Sequence, residues 1–372
     1  MSKRVLVTGG AGFVGSHLVD ALLREGHVVR VFDSLSPQVH PQGLPAYLAI
    51  DTQFVQGDMR DLDAVRSALT DIDVIYHKAA AVGVGQSMYE IAQYMGANTQ
   101  GTANLLQAIL DSKRQFEKLI VASSMSIYGE GKYRCDTHGE VAPPPRPLEQ
   151  LKRKQWEALC PTCGAELNPV ATDETKALQC TSIYALSKKD QEELCLLYGR
   201  TYGLPVVALR YFNIYGTRQA LSNPYTGVAA IFAARLLNRN APMVFEDGAQ
   251  QRDFVSVHDI VRANLLALES AKADGMAINI GSGSPISIAD VAKALAKSLG
   301  VDADAEITSK YRAGDIRHCF ADITLARQVL GFEPQFQFAD GIHELVEWLR
   351  SQSASDRVSD ATQQLTAHGL TA

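Results

Sequence analysis

Residues 5–18 read Val5-Leu6-Val7-Thr8-Gly9-Gly10-Ala11-Gly12-Phe13-Val14-Gly15-Ser16-His17-Leu18. The apolar run 5–7 predicts a buried strand. Gly9, Gly12 and Gly15 follow at intervals of three, and an amphipathic helix over about 14–24 is closed by Gly26. A second strand over 28–32 ends at Asp33, 18 positions after Gly15. Strand, glycine turn, helix, strand and acid in this order form the context of a dinucleotide fingerprint. The glycines let backbone approach a pyrophosphate, and the helix N-terminus offers it free N–H groups. Asp33 is placed to accept hydrogen bonds from an adenosine ribose. Ser34 and Leu35 follow it, rather than Arg or Lys, which favours NAD over NADP. Three glycines alone also occur in structural turns; the flanking strand, helix and acid carry the reading.

Strand and helix then alternate. Short strands are expected at 54–55, 74–77 and 119–122, with helices between them, which argues a parallel, doubly wound α/β sheet; the alternation stops at about residue 132, and further strands are expected at 206–211 and 277–280. Asp58 follows the third strand and either bonds an adenine amino group or caps the next helix. Ala79, Ala80 and Ala81 follow the fourth, where side chains must be short if a cofactor crosses the strand end. With Phe13, Val14, Met59, Asn98, Ser123 and Tyr211 they complete the expected cofactor wall. Residues 351–372 are polar with little periodicity and read as a mobile tail.

The 372 residues suffice for about two domains. The chain is 46% hydrophobic and 20% charged, with a net charge of −6, so nothing points to nucleic acid or an anionic membrane. Met1-Ser2-Lys3-Arg4 leads directly into the first strand, and no apolar run reaches 18 residues. The expectation is a cytoplasmic protein whose six cysteines are thiols or metal ligands rather than disulfides.

Tyr184 and Lys188 lie four apart on a predicted helix and share a face. A nearby cation favours a phenolate, which would make Tyr184 a base near neutrality. Lys188 can also bond a nicotinamide ribose. Ser124 ends the fifth strand, where its hydroxyl could hold a substrate oxygen and relay a proton to Tyr184. The alternatives are a half-buried helix tyrosine and a strand-end serine. Tyr128 and Lys132 match the same spacing, but Gly129 and Gly131 between them would not hold a helix.

The segments T-G-G-A-G-F-V-G, H-K-A-A, S-S-M-S-I-Y-G, Y-A-L-S-K, R-Y-F-N-I-Y-G and Q-R-D-F-V-S-V-H-D together resemble the extended short-chain dehydrogenase/reductases acting on nucleotide sugars, over roughly residues 4–350. The resemblance implies a Rossmann NAD-binding domain, here 1–213, and a smaller C-terminal α/β substrate domain, here 214–350, with part of 252–270 returning to the first. It implies that Asn213 and Arg252 contact the substrate's diphosphate, and Arg312 and Asp315 its phosphate and ribose. Ser87 and Ser126 belong to the segments expected to shape the sugar pocket. Dehydratases of the family carry an Asp-Glu pair after the position of Ser124, and decarboxylases a glutamate. Met125 and Ser126 supply no such acid, which favours an NAD-dependent 4-epimerase working through a transient 4-keto sugar. A 4-reductase or dehydratase is the alternative, and an NAD-sensing or RNA-binding regulator a more remote one. Relatives usually dimerise through two helices, here 98–113 and 184–199; their apolar stripes could equally face the protein's own sheet.

From Ser124 to Tyr184 the chain spends 60 positions, about twice what such relatives need. The excess, 133–180, is a cysteine-rich insert. Cys160-Pro-Thr-Cys163-Gly164 has the shape of a metal knuckle, and Cys135 and Cys180 complete four ligands for structural zinc. His138 or Asp136 could replace Cys135, and free thiols or a Cys160–Cys163 redox pair are the alternatives. The insert resembles that of dTDP-L-rhamnose 4-epimerases, which makes dTDP-L-rhamnose one candidate substrate beside UDP-hexoses and UDP-uronic acids.

Overall fold

The structure, a computed structural model, describes residues 2–312, 314–352 and 355–371. Seven parallel strands form the main sheet: β1 (Arg4–Thr8), β2 (Val28–Asp33), β3 (Gln53–Gln56), β4 (Val74–His77), β5 (Lys118–Ser124), β6 (Val206–Tyr211) and β7 (Ala277–Ile280). Their order is β3-β2-β1-β4-β5-β6-β7. The order reverses between β1 and β4, so a crevice opens outside their carboxyl ends. Both faces are covered. On one, helix Phe13–Arg24 buries Leu18, Val19 and Leu22 with Val5, Val7 and Val31; each such side chain contributes about 1.5–3 kcal/mol. Helices Gly101–Ser112 and Ile183–Tyr202 cover the other.

The chain leaves this sheet after β6. Strands Asn213–Tyr215, Gln251–Ser256, Pro285–Ser287 and His318–Cys319 form a second, mixed sheet, packed by helices Val228–Leu237, Ile288–Leu299 and Phe338–Arg350. It returns twice. Helix Val257–Glu269 packs in the first core, and 277–280 adds the seventh strand beside β6. The second return lies inside the stretch 214–350 expected to belong wholly to the substrate domain apart from 252–270.

The tail also differs from its reading. Val358–Ala367 is a helix with Ala361 and Leu365 buried. Leu365 sits over Gly85, and His368 stacks on Tyr89 at 4.7 Å. Within the insert, Lys132–Cys135, Gly139–Val141 and Asn168–Val170 form a three-stranded antiparallel sheet. The expected dimer stripe on the first helix faces inward, with Leu105, Leu106 and Ile109 buried in the chain's own core, while Leu110, Leu186 and Leu197 are exposed. No helix among the described residues is long and apolar enough to cross a membrane.

Candidate active site and metal-ligand cluster

A cleft of about 850 Å³ runs along the carboxyl ends of the strands. At one end lies the glycine turn. Gly9 has φ +67°, and a Cβ there would stand 2.8 Å from the Ala79 backbone; one at Gly15 would stand 2.1 Å from Gly9 O. Any side chain at either position would force this turn open. Asp33 accepts N–H groups of Ala11 (3.1 Å) and Leu35 (2.9 Å), which fixes its carboxylate at the end of β2. Asp58 is held by Arg60, whose guanidinium lies 2.6 Å from Oδ2 and keeps the carboxyl below its ordinary pKa. The cap of the next helix is Asp61, so the capping alternative for Asp58 does not hold.

Ser124, Tyr184 and Lys188 meet in the middle of the cleft. Ser182 caps helix Ile183–Tyr202 by accepting Ala185 N–H at 3.1 Å, and the first turns then project Tyr184 and Lys188 toward the end of β5. Burial raises the Tyr184 pKa, and a hydrogen bond with Ser124 opposes that rise. Ser126 Oγ stands 2.9 Å from Ser124 Oγ. Lys188 donates to Ala122 O and to Gln191 Oε1 (2.7 Å), and burial brings its pKa down to about 8. In this arrangement the ammonium's hydrogen bonds go to those two carbonyls rather than to Tyr184. The second Tyr-x-x-x-Lys is broken as anticipated, Tyr128 ending a short 3₁₀ turn and Lys132 opening a strand.

At the far end, Arg252 donates to the carbonyls of Gln251, Ile316 and Arg317. Its guanidinium is 3.9 Å from Asp315, and that of Arg312, stacked at 4.4 Å on Phe245, is 3.6 Å from the same carboxylate. Behind them, insert residue Arg146 donates to Asp315 O (3.0 Å) and pairs with buried Glu246 (2.8 Å). Arg317 binds both Glu246 and insert residue Glu157. Against the cost of burial, hydrogen bonds from His318 and Arg317 hold the Glu157 pKa down to about 2. The insert thus buttresses the arginine end of the cleft.

The residues picked from sequence for catalysis, cofactor and substrate line this cleft with two exceptions. Ser87 is fully buried and its hydroxyl is spent on Val84 O (2.7 Å) and Tyr184 N–H (2.9 Å). It positions the tyrosine's helix instead of facing a sugar. Asn98 sits in a π-helical turn, Met95–Gln100, and its amide bonds both N–H and C=O of Ala81. It holds the alanine loop from behind. Sequence reading missed Gln219 and Gln250, which line the cleft with Oε1 atoms buried and unpartnered, as Asn213 Oδ1 is. It also missed Val358, Ala361 and Leu365 of the C-terminal helix, which form part of the wall.

The cysteine reading needs correction. Cys135, Cys160 and Cys163 cluster with His138, all four donor atoms within 4.8 Å of one another. Cys180 stands apart, half-buried, its thiol donating to Ile127 O. The separations are 3.7 Å for Cys135 Sγ–Cys163 Sγ and 3.5 Å from His138 Nδ1 to both Cys135 and Cys160 Sγ. A tetrahedral zinc with Zn–S of about 2.3 Å and Zn–N of about 2.05 Å spaces sulfurs by about 3.8 Å and sulfur from nitrogen by about 3.6 Å. The donor set fits. Gly164, at φ +73°, closes the knuckle by donating to Cys160 O. The N–H groups of Cys163 and Thr162 bring the Cys160 thiol pKa down to about 6.

The profile of the "NAD dependent epimerase/dehydratase family" matches residues 5–152, and that of "GDP-mannose 4,6 dehydratase" residues 164–345. The dTDP-L-rhamnose 4-epimerase of Burkholderia thailandensis is 32% identical, over 94% of this chain and 96% of its own. Among solved structures, the UDP-glucose 4-epimerase of Thermus thermophilus, in complex with NAD, superposes with TM-score 0.74 at 30% identity, over 94% of this chain and 99% of that one. The UDP-glucuronic acid 4-epimerase of Bacillus cereus, bound to UDP-glucuronic acid and NAD, gives 0.76 at 28%, over 93% and 99%. Identity of this extent, over nearly the whole of both chains, shows that the chain belongs to the NAD-dependent epimerase/dehydratase family of extended short-chain dehydrogenase/reductases.

Proposed function

We propose that this chain is an NAD-dependent nucleotide-sugar 4-epimerase. The observation that carries the reading is where the cleft keeps its carboxylates. Among the described residues lining it, the acids are Asp33, Asp58 and Asp315. The first two stand at the ends of β2 and β3, and the third is engaged by two arginines. None accompanies Tyr184, and the positions after Ser124 hold Met125 and Ser126. Dehydration or decarboxylation needs a further acid or base at C5 or C6. Exchange of configuration at C4 needs one proton shuttle.

Gly9, Gly12, Gly15 and Asp33 are the residues that would hold NAD, which when bound supplies a reversible hydride acceptor and a positive charge near Tyr184. Tyr184 takes the proton of the C4 hydroxyl and later returns it. Ser124 holds the same oxygen and supports the phenolate by hydrogen bonding. Lys188 keeps a positive charge one helical turn below. Arg252 and Arg312 suit a diphosphate. Anchoring the substrate there leaves its sugar free to turn over and present either face.

dTDP-L-rhamnose is the favoured substrate, supported by the relative at 32% identity; UDP-hexoses and UDP-uronic acids follow. A dehydratase is the second reading, favoured by the dehydratase profile over residues 164–345. We also infer that Cys135, His138, Cys160 and Cys163 hold one structural zinc, a closed set without an open position for catalysis. A cytoplasmic homodimer through the exposed Leu110, Leu186 and Leu197 surface completes the reading. The test incubates a panel of nucleotide sugars with catalytic NAD in D₂O and follows products by NMR. An equilibrium mixture of C4 epimers without deuterium supports it. A stable keto sugar, or deuterium at C3 or C5, means dehydration or enolisation and overturns it.

A further inference from the structure

The ammonium of Lys188 has three N–H donors and no acceptor. Two of them go to Ala122 O and to Gln191 Oε1 (2.7 Å), and the third is left for the cleft that Lys188 lines. Gln191 is fully buried and lies further along helix Ile183–Tyr202. Its amide has a donating and an accepting end, and the groups around it decide which one Lys188 meets. Thr102 Oγ1 gives its one proton to Asn98 O (2.7 Å), so it can only accept from Gln191 Nε2 (3.0 Å) and His77 Nε2 (2.9 Å). The His77 tautomer agrees. Thr8 Oγ1 takes the N–H groups of Lys78 and Ala79, both at 3.2 Å, and therefore donates to His77 Nδ1 (2.8 Å), which leaves the ring proton on Nε2. Ala79 O, 3.4 Å from Gln191 Nε2, is a second acceptor on that side. The bonds from Lys188 through Gln191 and Thr102 to Asn98 all run in one direction, and they present a carbonyl oxygen to the ammonium.

A neutral acceptor does what a carboxylate would not. It favours the ammonium over the amine by hydrogen bonding, yet leaves the positive charge uncompensated. The ionisable groups around Lys188 fit that division. Glu192 and Cys195 share its helix, and Glu192 is already paired with Arg210 of β6. His77 and Lys78, at the end of β4, bring no negative charge. Tyr184 stands one turn back on the same face. We propose that Gln191, oriented by the Thr102 hydroxyl, is the positioning residue of Lys188: it holds the ammonium in place and in its charged form, and leaves the third N–H and the full charge to the reacting end of the cleft. This rests on the reading of Lys188 as the cation of that end.

The test uses Thr102→Val, which removes the hydroxyl at nearly constant shape, Thr102→Ser, which keeps it, and Gln191→Met, which removes the amide's acceptor and donor together. The Lys188 titration is read in each unliganded protein from the ε-carbon resonance of 13C-labelled lysine, identified by its loss in Lys188→Met, and kcat is followed against pH. Wild type and Thr102→Ser are expected to titrate alike. Thr102→Val and Gln191→Met are expected to titrate at least about one pH unit lower, a tenfold loss in preference for the ammonium. Because the charged form is then lost at lower pH, the alkaline limb of kcat should move down by the same interval. Unmoved midpoints in Thr102→Val and Gln191→Met would overturn the proposal. So would a Thr102→Ser midpoint that falls as far as that of Thr102→Val, or a kcat lowered equally at every pH with the Lys188 midpoint unmoved, which marks a merely structural role. If Gln191→Met does not fold, the two Thr102 variants still decide. The resonance needs no substrate, so midpoints that move as expected in a protein that turns over no nucleotide sugar would uphold the positioning and count against the epimerase reading instead.

Discussion

Cys160→Ser and Cys180→Ser should behave oppositely. Cys160 Sγ lies 3.5 Å from His138 Nδ1 inside the four-donor cluster, whereas Cys180 is outside it. Structural zinc in a four-ligand site binds with about 10–16 kcal/mol, or about 2.5–4 kcal/mol per ligand if shared evenly. Losing one ligand should therefore weaken zinc roughly one hundred- to one thousand-fold. Metal is measured by mass spectrometry after dialysis against a chelator. Wild type and Cys180→Ser are expected to keep close to one zinc per chain, and Cys160→Ser to lose it. The apolar core around the site is small, chiefly Tyr133, Ala158 and Leu167, so the metal should carry much of the insert's order. Arg146 and Glu157 of this insert buttress the arginine end of the cleft through Asp315, Glu246 and Arg317, so zinc loss should also raise the KM for the nucleotide sugar. Less than about 0.3 zinc in the wild type, or loss in Cys180→Ser with retention in Cys160→Ser, would refute the assignment.

Tyr184→Phe removes the proposed proton shuttle, and kcat should fall at least about a hundredfold with KM little changed; near-normal turnover in a steady-state assay would count against the role. Truncation after Gln352 deletes the wall formed by Val358, Ala361 and Leu365; KM for the nucleotide sugar should rise about tenfold, as expected for one or two lost apolar contacts, with kcat within about threefold, and an unchanged KM would mean that the helix does not touch substrate. His77 is buried between Thr8 and Thr102, and burial, reinforced by Lys188 and Lys78, lowers its pKa to about 3. The unfolded chain takes up a proton near pH 6.5 that the native ring refuses. Stability should thus fall as pH drops below that value, by about 2 kcal/mol from this residue on reaching pH 5. Urea melts at pH 7 and 5 should show the loss, and His77→Asn should lessen it; an equal loss in the variant would exclude His77 as its source.

Much of the sheet was legible because its signals are local. Apolar runs bounded by glycine and polar turns gave the strands, and the spacing of Gly9, Gly12, Gly15 and Asp33 placed the crevice. Membership of 277–280 was not legible, because a strand that rejoins a sheet after a long excursion carries no local mark of its neighbour. The metal set failed at one position for a readable reason. His138 lies three residues after Cys135, on the turn between strands 132–135 and 139–141. That hairpin brings it back onto the knuckle, whereas Cys180 is anchored beside Ile127 and the start of the long helix. Val358, Ala361 and Leu365 recur at 3 and 4 residues, a helical stripe hidden by polar composition. Ser87 and Asn98 were chosen near the right place with the wrong facing. Both spend their polar groups on backbone, which spacing does not reveal. Gln219, Gln250 and Lys78 lie in segments whose path across the cleft depends on tertiary packing.

The measurement to make first uses a nucleotide sugar carrying deuterium at C4, turned over in ordinary water with a catalytic amount of NAD. Epimerisation by hydride removal and return on one cofactor predicts that the C4 epimer keeps its deuterium at C4, as seen by NMR and mass spectrometry. Washout of the label into water, or its appearance at C6 of a keto sugar, would contradict a 4-epimerase and point to chemistry for which the middle of this cleft holds no acid.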